Sequence, residues 1–71
     1  MIVTPDIPEK ECCFLAVWRD KEGVVKSCTF KCINGGDRHV YICRAGGVWV
    51  PTPIEGKILF KDCIGFVIID D

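Results

Sequence analysis

The stretch Cys28–Cys43, CTFKCINGGDRHVYIC, decides the fold of this chain, because it holds two apolar runs, a turn sequence and three of the six cysteines. Gly35-Gly36 lies midway and predicts a β-hairpin with a two-residue primed turn, in which both central residues need a positive φ. In that register Asn34 faces Asp37, and further pairs follow outward along the two strands. The stretch therefore predicts an antiparallel hairpin whose register is set by its glycines.

The same register predicts which side chains share a face of the hairpin. Phe30 faces Tyr41, and Cys28 faces Cys43. Alternate residues of a strand point to the same side, so Cys32 joins these four. The spacing predicts a core face made of cysteines and aromatic rings, and a mixed, half-exposed face opposite to it.

Length and cysteine content place the chain among small disulfide-rich secreted domains. A domain of 71 residues is marginally stable, because it buries only roughly 60% of the surface of its unfolded chain. Six cysteines at this length are typical of disulfides formed in an oxidising, extracellular compartment. Disulfide bonding is predicted for Cys12, Cys13, Cys28, Cys32, Cys43 and Cys63.

Charge and hydropathy bear on compartment and partners. Residues 1–11 show no basic segment followed by an apolar one, so we expect a mature secreted chain to which Met1 was added for expression. No apolar run approaches the ~20 residues of a membrane span, and a net charge of −1 with interspersed charges argues against nucleic acid. Since 49% of the residues are hydrophobic, we expect some apolar surface to contact a protein partner, the chain being a monomer when free.

Outside the central hairpin the sequence predicts an all-β fold. Residues 1–11 form an extended N-terminal arm, and residues 12–71 form a single disulfide-stapled β domain. Residues 12–32 are a first hairpin around a charged turn, which with the central hairpin makes a three-stranded antiparallel meander. A C-terminal strand segment follows, with a turn at residues 54–57 and a short strand at residues 58–60; almost no helix is expected.

Geometry limits how the cysteines can pair. Cys12 and Cys13 are adjacent, so their Cα atoms are only ~3.8 Å apart. Cys28 and Cys32 would lie ~13 Å apart along a strand, so neither of these pairs suits a disulfide. The predicted hairpin favours a bridge between Cys28 and Cys43. Cys12 and Cys13 then pair with Cys32 and Cys63, one each. The favoured pairs are Cys28–Cys43, Cys13–Cys32 and Cys12–Cys63.

Residues for catalysis or metal binding are few. His39 is the single histidine and Ser27 the single serine, so no set of nucleophile, base and orienting group can be assembled. A zinc site made of the C-x3-C pair with Cys43 and His39 is the alternative to disulfides, but structural zinc sites prefer tighter knuckles in matched halves. We therefore predict no enzyme, no catalytic residue, no cofactor and no metal.

Large side chains near turns and near the C-terminus are the predicted partner contacts. Trp and Arg are enriched at interfaces, although each tryptophan can instead pack in the core. The C-terminal run can be an inner strand or an edge strand that is offered to a partner. The predicted partner-binding residues are Trp18, Arg19, Asp20, Trp49, Phe66 and Ile68.

The cysteine spacing resembles a known module. From Cys13 the pattern reads C-x14-C-x3-C-x10-C, with Trp18 after the first cysteine and Val40 before the last. It resembles the von Willebrand factor type C (VWC) module in its short arthropod form, and in particular the cysteine-rich salivary proteins of ticks that include the CirpT-type complement inhibitors. The resemblance covers roughly residues 12–63; this chain has fewer cysteines than the module and no C-x-C.

The resemblance implies immune evasion through saliva. It implies a secreted inhibitor that binds a host serum protein, with complement component five as the expected target, and that sterically prevents its docking to the convertase or its cleavage. One alternative is a chemokine-binding antagonist of the tick evasin type, whose ligands are basic. Another is a small serine-protease inhibitor with its scissile bond at Arg44-Ala45 or Lys57-Ile58.

Overall fold

The computed structural model describes residues 2–36, 38–52 and 54–70. The elements in these ranges are β1 (Ile2–Thr4), β2 (Cys12–Arg19), β3 (Val25–Asn34), β4 (His39–Ala45), β5 (Val48–Thr52), α1 (Gly56–Leu59) and β6 (Cys63–Asp70). The predicted small all-β class is confirmed, and the four-residue α1 is the one helix in the described ranges.

The six strands form one sheet in the order β1-β6-β2-β3-β4-β5, and every neighbouring pair is antiparallel. The predicted meander is confirmed in β2, β3 and β4, and β5 extends it by a fourth strand. The last strand in the chain, β6, lies between β1 and β2. The C-terminal run is therefore an inner strand, and the edges of the sheet are β1 and β5.

One carboxylate holds the charged turn between β2 and β3. Asp20 Oδ1 accepts hydrogen bonds from the backbone N–H of Glu22 at 2.9 Å and of Val24 at 3.0 Å. Such local side-chain bonds are the reason that Asp is favoured in turns. Gly23, with φ 80°, adopts the left-handed conformation that closes the turn. The predicted turn is confirmed, and Asp20 has a structural role in it.

The register of the central hairpin differs from the prediction by two residues. Phe30 pairs with Cys43 instead of the residue two positions earlier. The innermost pair is Asn34 with His39, so the loop between the strands has four residues rather than two. Asp37, the predicted partner of Asn34, lies outside the described residues.

The two-residue primed turn lies in the next hairpin. Gly46 and Gly47, with φ 60° and 82°, join β4 to β5 in the conformation that such turns require. Among the described residues of the central hairpin, Gly36 alone has a positive φ. Gly35 is needed there for space instead, because a Cβ at this position would lie 2.5 Å from Val40 Cγ2.

A shift by two residues leaves side chains on the same face, so the predicted core face of cysteines and aromatic rings is confirmed. Cys28 and Cys43 pack against the buried cluster. The buried core side chains are Cys12, Phe14, Ala16, Phe30, Cys32, Tyr41, Phe60 and Phe66.

Phe60 covers this face from the turn that follows α1. Its ring makes edge contacts with four rings of the sheet, at centroid distances between 4.9 and 5.7 Å, the geometry that aromatic pairs favour. The predicted strand at residues 58–60 is wrong, because the backbone turns helically from Gly56, whose carbonyl accepts the Phe60 N–H at 2.8 Å. The predicted turn at residues 54–57 accordingly runs into α1.

The N-terminal segment is attached to the domain at two places, which corrects the prediction of an extended arm outside the sheet. Its first residues form β1, in which Val3 pairs with Val67. Further along, Ile7 packs against the core, and the Tyr41 hydroxyl donates a hydrogen bond to the buried Pro8 carbonyl at 2.8 Å. The segment therefore closes one side of the core.

Tyr41→Phe tests this attachment. The substitution leaves the Pro8 carbonyl without its donor, so the free energy of unfolding should fall by about 1–2 kcal/mol. Chemical denaturation measures the loss, and trypsin cleavage after Lys10 should become faster because the segment is released. An unchanged denaturation midpoint with unchanged cleavage would contradict the anchoring role of the hydroxyl.

Candidate functional site

The face of the sheet opposite the aromatic core is the candidate site. The N-terminal segment and α1 both pack on the core side, and no other described segment covers the opposite side. Strand alternation and the observed pairings place the following residues on this open face: Val3, Leu15, Val17, Thr29, Ile33, Val40, Ile42, Trp49 and Val67.

Apolar side chains predominate on the open face. One row crosses four strands as Val3, Val67, Leu15 and Thr29, each directly paired with the next. Val3 is 76% exposed, and the other three are half-buried by their neighbours on the sheet. An uncovered sheet face on which apolar side chains cluster is typical of an interaction site.

Charged residues on the strands are mainly basic. Asp70 is the one acidic residue in the strands that the structure describes. Alternation places Arg19, Lys31 and Arg44, all exposed, on the open face, where they lie on β2, β3 and β4. The other strand cation, Lys26, lies on the core side and pairs with the turn carboxylate at 3.6 Å.

The open face ends at β5 in a stacked pair. Arg44 pairs with Trp49 across β4 and β5, and its guanidinium carbon lies 5.5 Å from the centre of the indole ring. This cation–π contact restrains two side chains of the types that dominate binding hot spots.

The predicted contact residues separate into distinct surroundings. Arg19 and Trp49 lie on the open face, and Asp20 organises the charged turn. Phe66 is 3% exposed and belongs to the aromatic core, so its prediction as a partner contact is wrong. Ile68 packs against the same core.

Trp18 lies on the core side, at a groove of about 290 Å³. Alternation places it on the opposite side from Arg19, so the two predicted contacts cannot touch one flat partner surface. The groove is lined by Ala16, Trp18, Cys28, Phe30, Leu59, Phe60, Asp62 and Cys63. A second groove, of about 280 Å³, lies between the N-terminal segment and α1.

Four cysteines form two close pairs on the core side. Cys12 is directly opposite Cys32, and opposed Cα atoms in an antiparallel pair are ~4.5–5.5 Å apart, which suits a disulfide. The Cys28 and Cys43 Sγ atoms lie 3.3 Å apart, so the favoured Cys28–Cys43 pair is close in space. Formation of either bond stays a prediction.

The other favoured pairings are contradicted by the register. Cys13 pairs with Lys31 and points away from the face that carries Cys32. Cys63 pairs with Trp18 at the far end of β2, which is ~16 Å or more from both vicinal cysteines along the strand. Cys13 and Cys63 are therefore too far from each other to form a bridge within one molecule.

Disulfide mapping tests this pairing. After oxidation in a glutathione buffer, we expect linked peptides for Cys12–Cys32 and Cys28–Cys43, with Cys13 and Cys63 still open to alkylation. Since the vicinal pair shares a peptide, Cys13→Ser should retain both bridges and Cys12→Ser should lose one. Recovery of a Cys13–Cys32 or Cys12–Cys63 peptide would overturn the assignment.

The reduced protein should lose stability at alkaline pH. Burial, together with the contact with Cys43, raises the pKa of Cys28 from 9.0 to about 11, and burial also raises the pKa of Cys32 and Cys63. Folding therefore favours the neutral thiols, and this contribution is present below pH 9 and lost as pH rises toward 11. Thermal melts of the reduced protein should show the decline, and a reduced variant with serine at positions 28 and 43 should decline less. An equal loss of stability in the two proteins would contradict the assignment of the alkaline loss to the thiols of Cys28 and Cys43.

The described residues also bear on metal binding, membrane spanning and protease inhibition. They contain no group of three or more His, Cys, Asp or Glu side chains placed to hold a metal ion, and none of their helices could span a bilayer. Arg44 lies within β4 and Lys57 within α1, so neither occupies the extended loop that a protease inhibitor offers.

Comparisons with protein-family models, curated proteins and solved structures give no match for this chain.

Proposed function

We propose that this chain is a secreted inhibitor that binds a host defence protein and blocks it sterically, with complement component five as its target. The single observation that supports a binding role is the apolar open face, which no described segment covers. Half-buried Leu15, Val17 and Val67 lie beside exposed Val3, and a partner that removes their remaining apolar surface from water gains free energy.

The cysteine density supports an oxidising, extracellular site of action. The choice of complement component five rests on the resemblance to tick salivary proteins of the CirpT type. A chemokine of the evasin type is a poorer partner, because those ligands are basic and the open face itself carries Arg19, Lys31 and Arg44, so that like charges would oppose docking.

Complement-dependent haemolysis in serum tests the proposal. The wild-type chain should inhibit lysis and bind purified complement component five. Leu15→Glu places a charge in the middle of the open face and should weaken inhibition about tenfold or more. Ile58→Glu makes the same kind of change at an exposed position of α1 and should inhibit like wild type.

Circular dichroism must show that both variants remain folded. Unchanged haemolysis with wild-type chain, together with no binding of complement component five, would reject the proposed function. Equal inhibition by the two variants would reject the open face as its surface.

A further inference from the structure

The open face combines apolar side chains with uncompensated positive charge, and this combination selects the chemistry of its partner. Arg19, Lys31 and Arg44 are exposed, and in the described part of the chain the one ion pair is Lys26 with Asp20. The three cations of the open face are therefore available to an anionic group on a partner.

Their positions fit an interface in which charged contacts flank an apolar surface. Arg19 lies at the end of β2 that is near Val25, and Lys31 lies at the opposite end, where it pairs with Cys13. Arg44 lies toward the β5 edge, stacked on Trp49. Half-buried Leu15 and Val17 of β2 lie between Arg19 and Lys31 along the strands. The apolar surface continues from β2 to β6 and β1, on the side away from Arg44.

The acidic residues of the chain are concentrated elsewhere. In the described ranges they lie in the N-terminal segment, in the turn after β2 and around α1, apart from Asp70 of β6. Asp70 pairs with Cys13, in the same row as Lys31, so the open face carries three cations and one carboxylate. The open face is therefore locally positive, although the net charge of the whole chain is −1. A second copy of this chain would bring the same cations face to face, which opposes self-association through this surface.

We propose that the open face docks onto an acidic protein surface in which carboxylates flank an apolar patch. This inference rests on the proposed function, because it specifies the partner chemistry of the same surface. Each carboxylate would meet Arg19, Lys31 or Arg44, while the apolar patch would cover Leu15, Val17 and Val67. The charge pairs contribute specificity and association rate, and the apolar contact contributes most of the affinity.

Two charge-reversal variants test the proposal against complement component five. The face variant combines Arg19→Glu, Lys31→Glu and Arg44→Glu. The control variant combines Lys10→Glu, Lys57→Glu and Lys61→Glu, three exposed cations outside the strands. Both change the net charge equally, so a difference between them reports position and not total charge.

The face variant should bind about 10–100-fold more weakly than wild type, and the control should stay within about threefold of it. Raising salt from about 50 to about 500 mM should weaken binding by the wild type and the control, and should strengthen binding by the face variant because it screens the repulsion between like charges. Equal binding by the two variants, or salt-independent wild-type binding, would overturn the proposal.

A second probe separates this inference from the choice of target. Anilinonaphthalene sulfonate is an apolar anion. When it is added to the folded chain, the backbone amide NMR shifts that change should belong to β2, β3 and β6. The control variant should show the same changes, and the face variant should not. If complement component five does not bind but the dye maps this way, the target is wrong and the docking surface stands. Mapping to the Trp18 groove would overturn the surface.

Two other occupants are tested directly. Light scattering at high protein concentration should show that the wild-type chain is a monomer. If the wild type is a dimer and the face variant is a monomer, the open face binds a second copy of the chain and the proposal is overturned. Vesicles of phosphatidylserine and phosphatidylcholine should not sediment the wild-type chain. Sedimentation that the face variant abolishes would assign the face to an anionic membrane and would equally overturn it.

Discussion

Phe60→Ala is expected to lower the free energy of unfolding by about 3–5 kcal/mol, the range for truncating a buried phenylalanine. Phe60 is 4% exposed and contacts four rings at centroid distances between 4.9 and 5.7 Å. Those four rings belong to strands of one sheet, whereas Phe60 alone comes from the opposite layer. Its removal opens the aromatic cluster to water, so a domain whose total stability is only about 4–10 kcal/mol at this length should be largely unfolded or close to it.

Guanidinium denaturation followed by tryptophan fluorescence measures this effect, because Trp18 lines the same groove as Phe60. Ile58→Ala is the matched control, since Ile58 is 56% exposed in the same helical segment and should change stability by no more than about 0.5 kcal/mol. Similar midpoints for the two variants would show that Phe60 does not close the core.

Gly56→Ala should destabilise the domain by about 1–3 kcal/mol, although alanine favours helices by about 1 kcal/mol over glycine. A Cβ at this position would lie 2.8 Å from Tyr41 Cε2 and 3.2 Å from both the Cζ and the hydroxyl oxygen of that ring. The ring is buried and held by its hydrogen bond to Pro8, so it cannot move aside without breaking that bond. Overpacking is therefore expected to outweigh the gain in helix propensity.

Gly65→Ala provides the control for this substitution. A Cβ at Gly65 would meet only the Thr4 carbonyl oxygen, at 3.7 Å, an ordinary contact distance. Neither Gly56 nor Gly65 has a positive φ, so the two variants differ in available space and not in backbone strain. Thermal melts should show a clear loss for Gly56→Ala and little change for Gly65→Ala. The reverse order would contradict the steric explanation.

Strand alternation predicted the core better than it predicted the pairing. The sequence placed Phe30, Cys32 and Tyr41 on one buried face, and the structure confirms this, because any even shift in register preserves the face. The exact register depended on the loop, and two Gly-Gly pairs were available for the primed turn. The structure uses Gly46-Gly47 in this way, and propensity alone does not distinguish the two pairs.

Local patterns could not locate the elements that pack from outside the meander. The run Ile58-Leu59-Phe60 is apolar and short, so it fits a strand or a helical turn equally well. Phe66 looked available in the sequence because the position of β6 between β1 and β2 is a long-range property. The open face was foreseen only as a mixed surface, since its apolar content appears when residues from all six strands are aligned.

The position of β6 has a consequence for the order in which the sheet can assemble. During synthesis β2 through β5 emerge before β6 and can form their hairpins, while one side of β2 remains without a hydrogen-bonded neighbour. Such a bare strand is exposed to mispairing until β6 arrives. Only after β6 has docked does β1 have a partner, and this requires closing a loop of nearly the whole chain. The strand translated first is therefore the last to find its place, so the slow step of folding is expected to be completion of the sheet at its β1 edge.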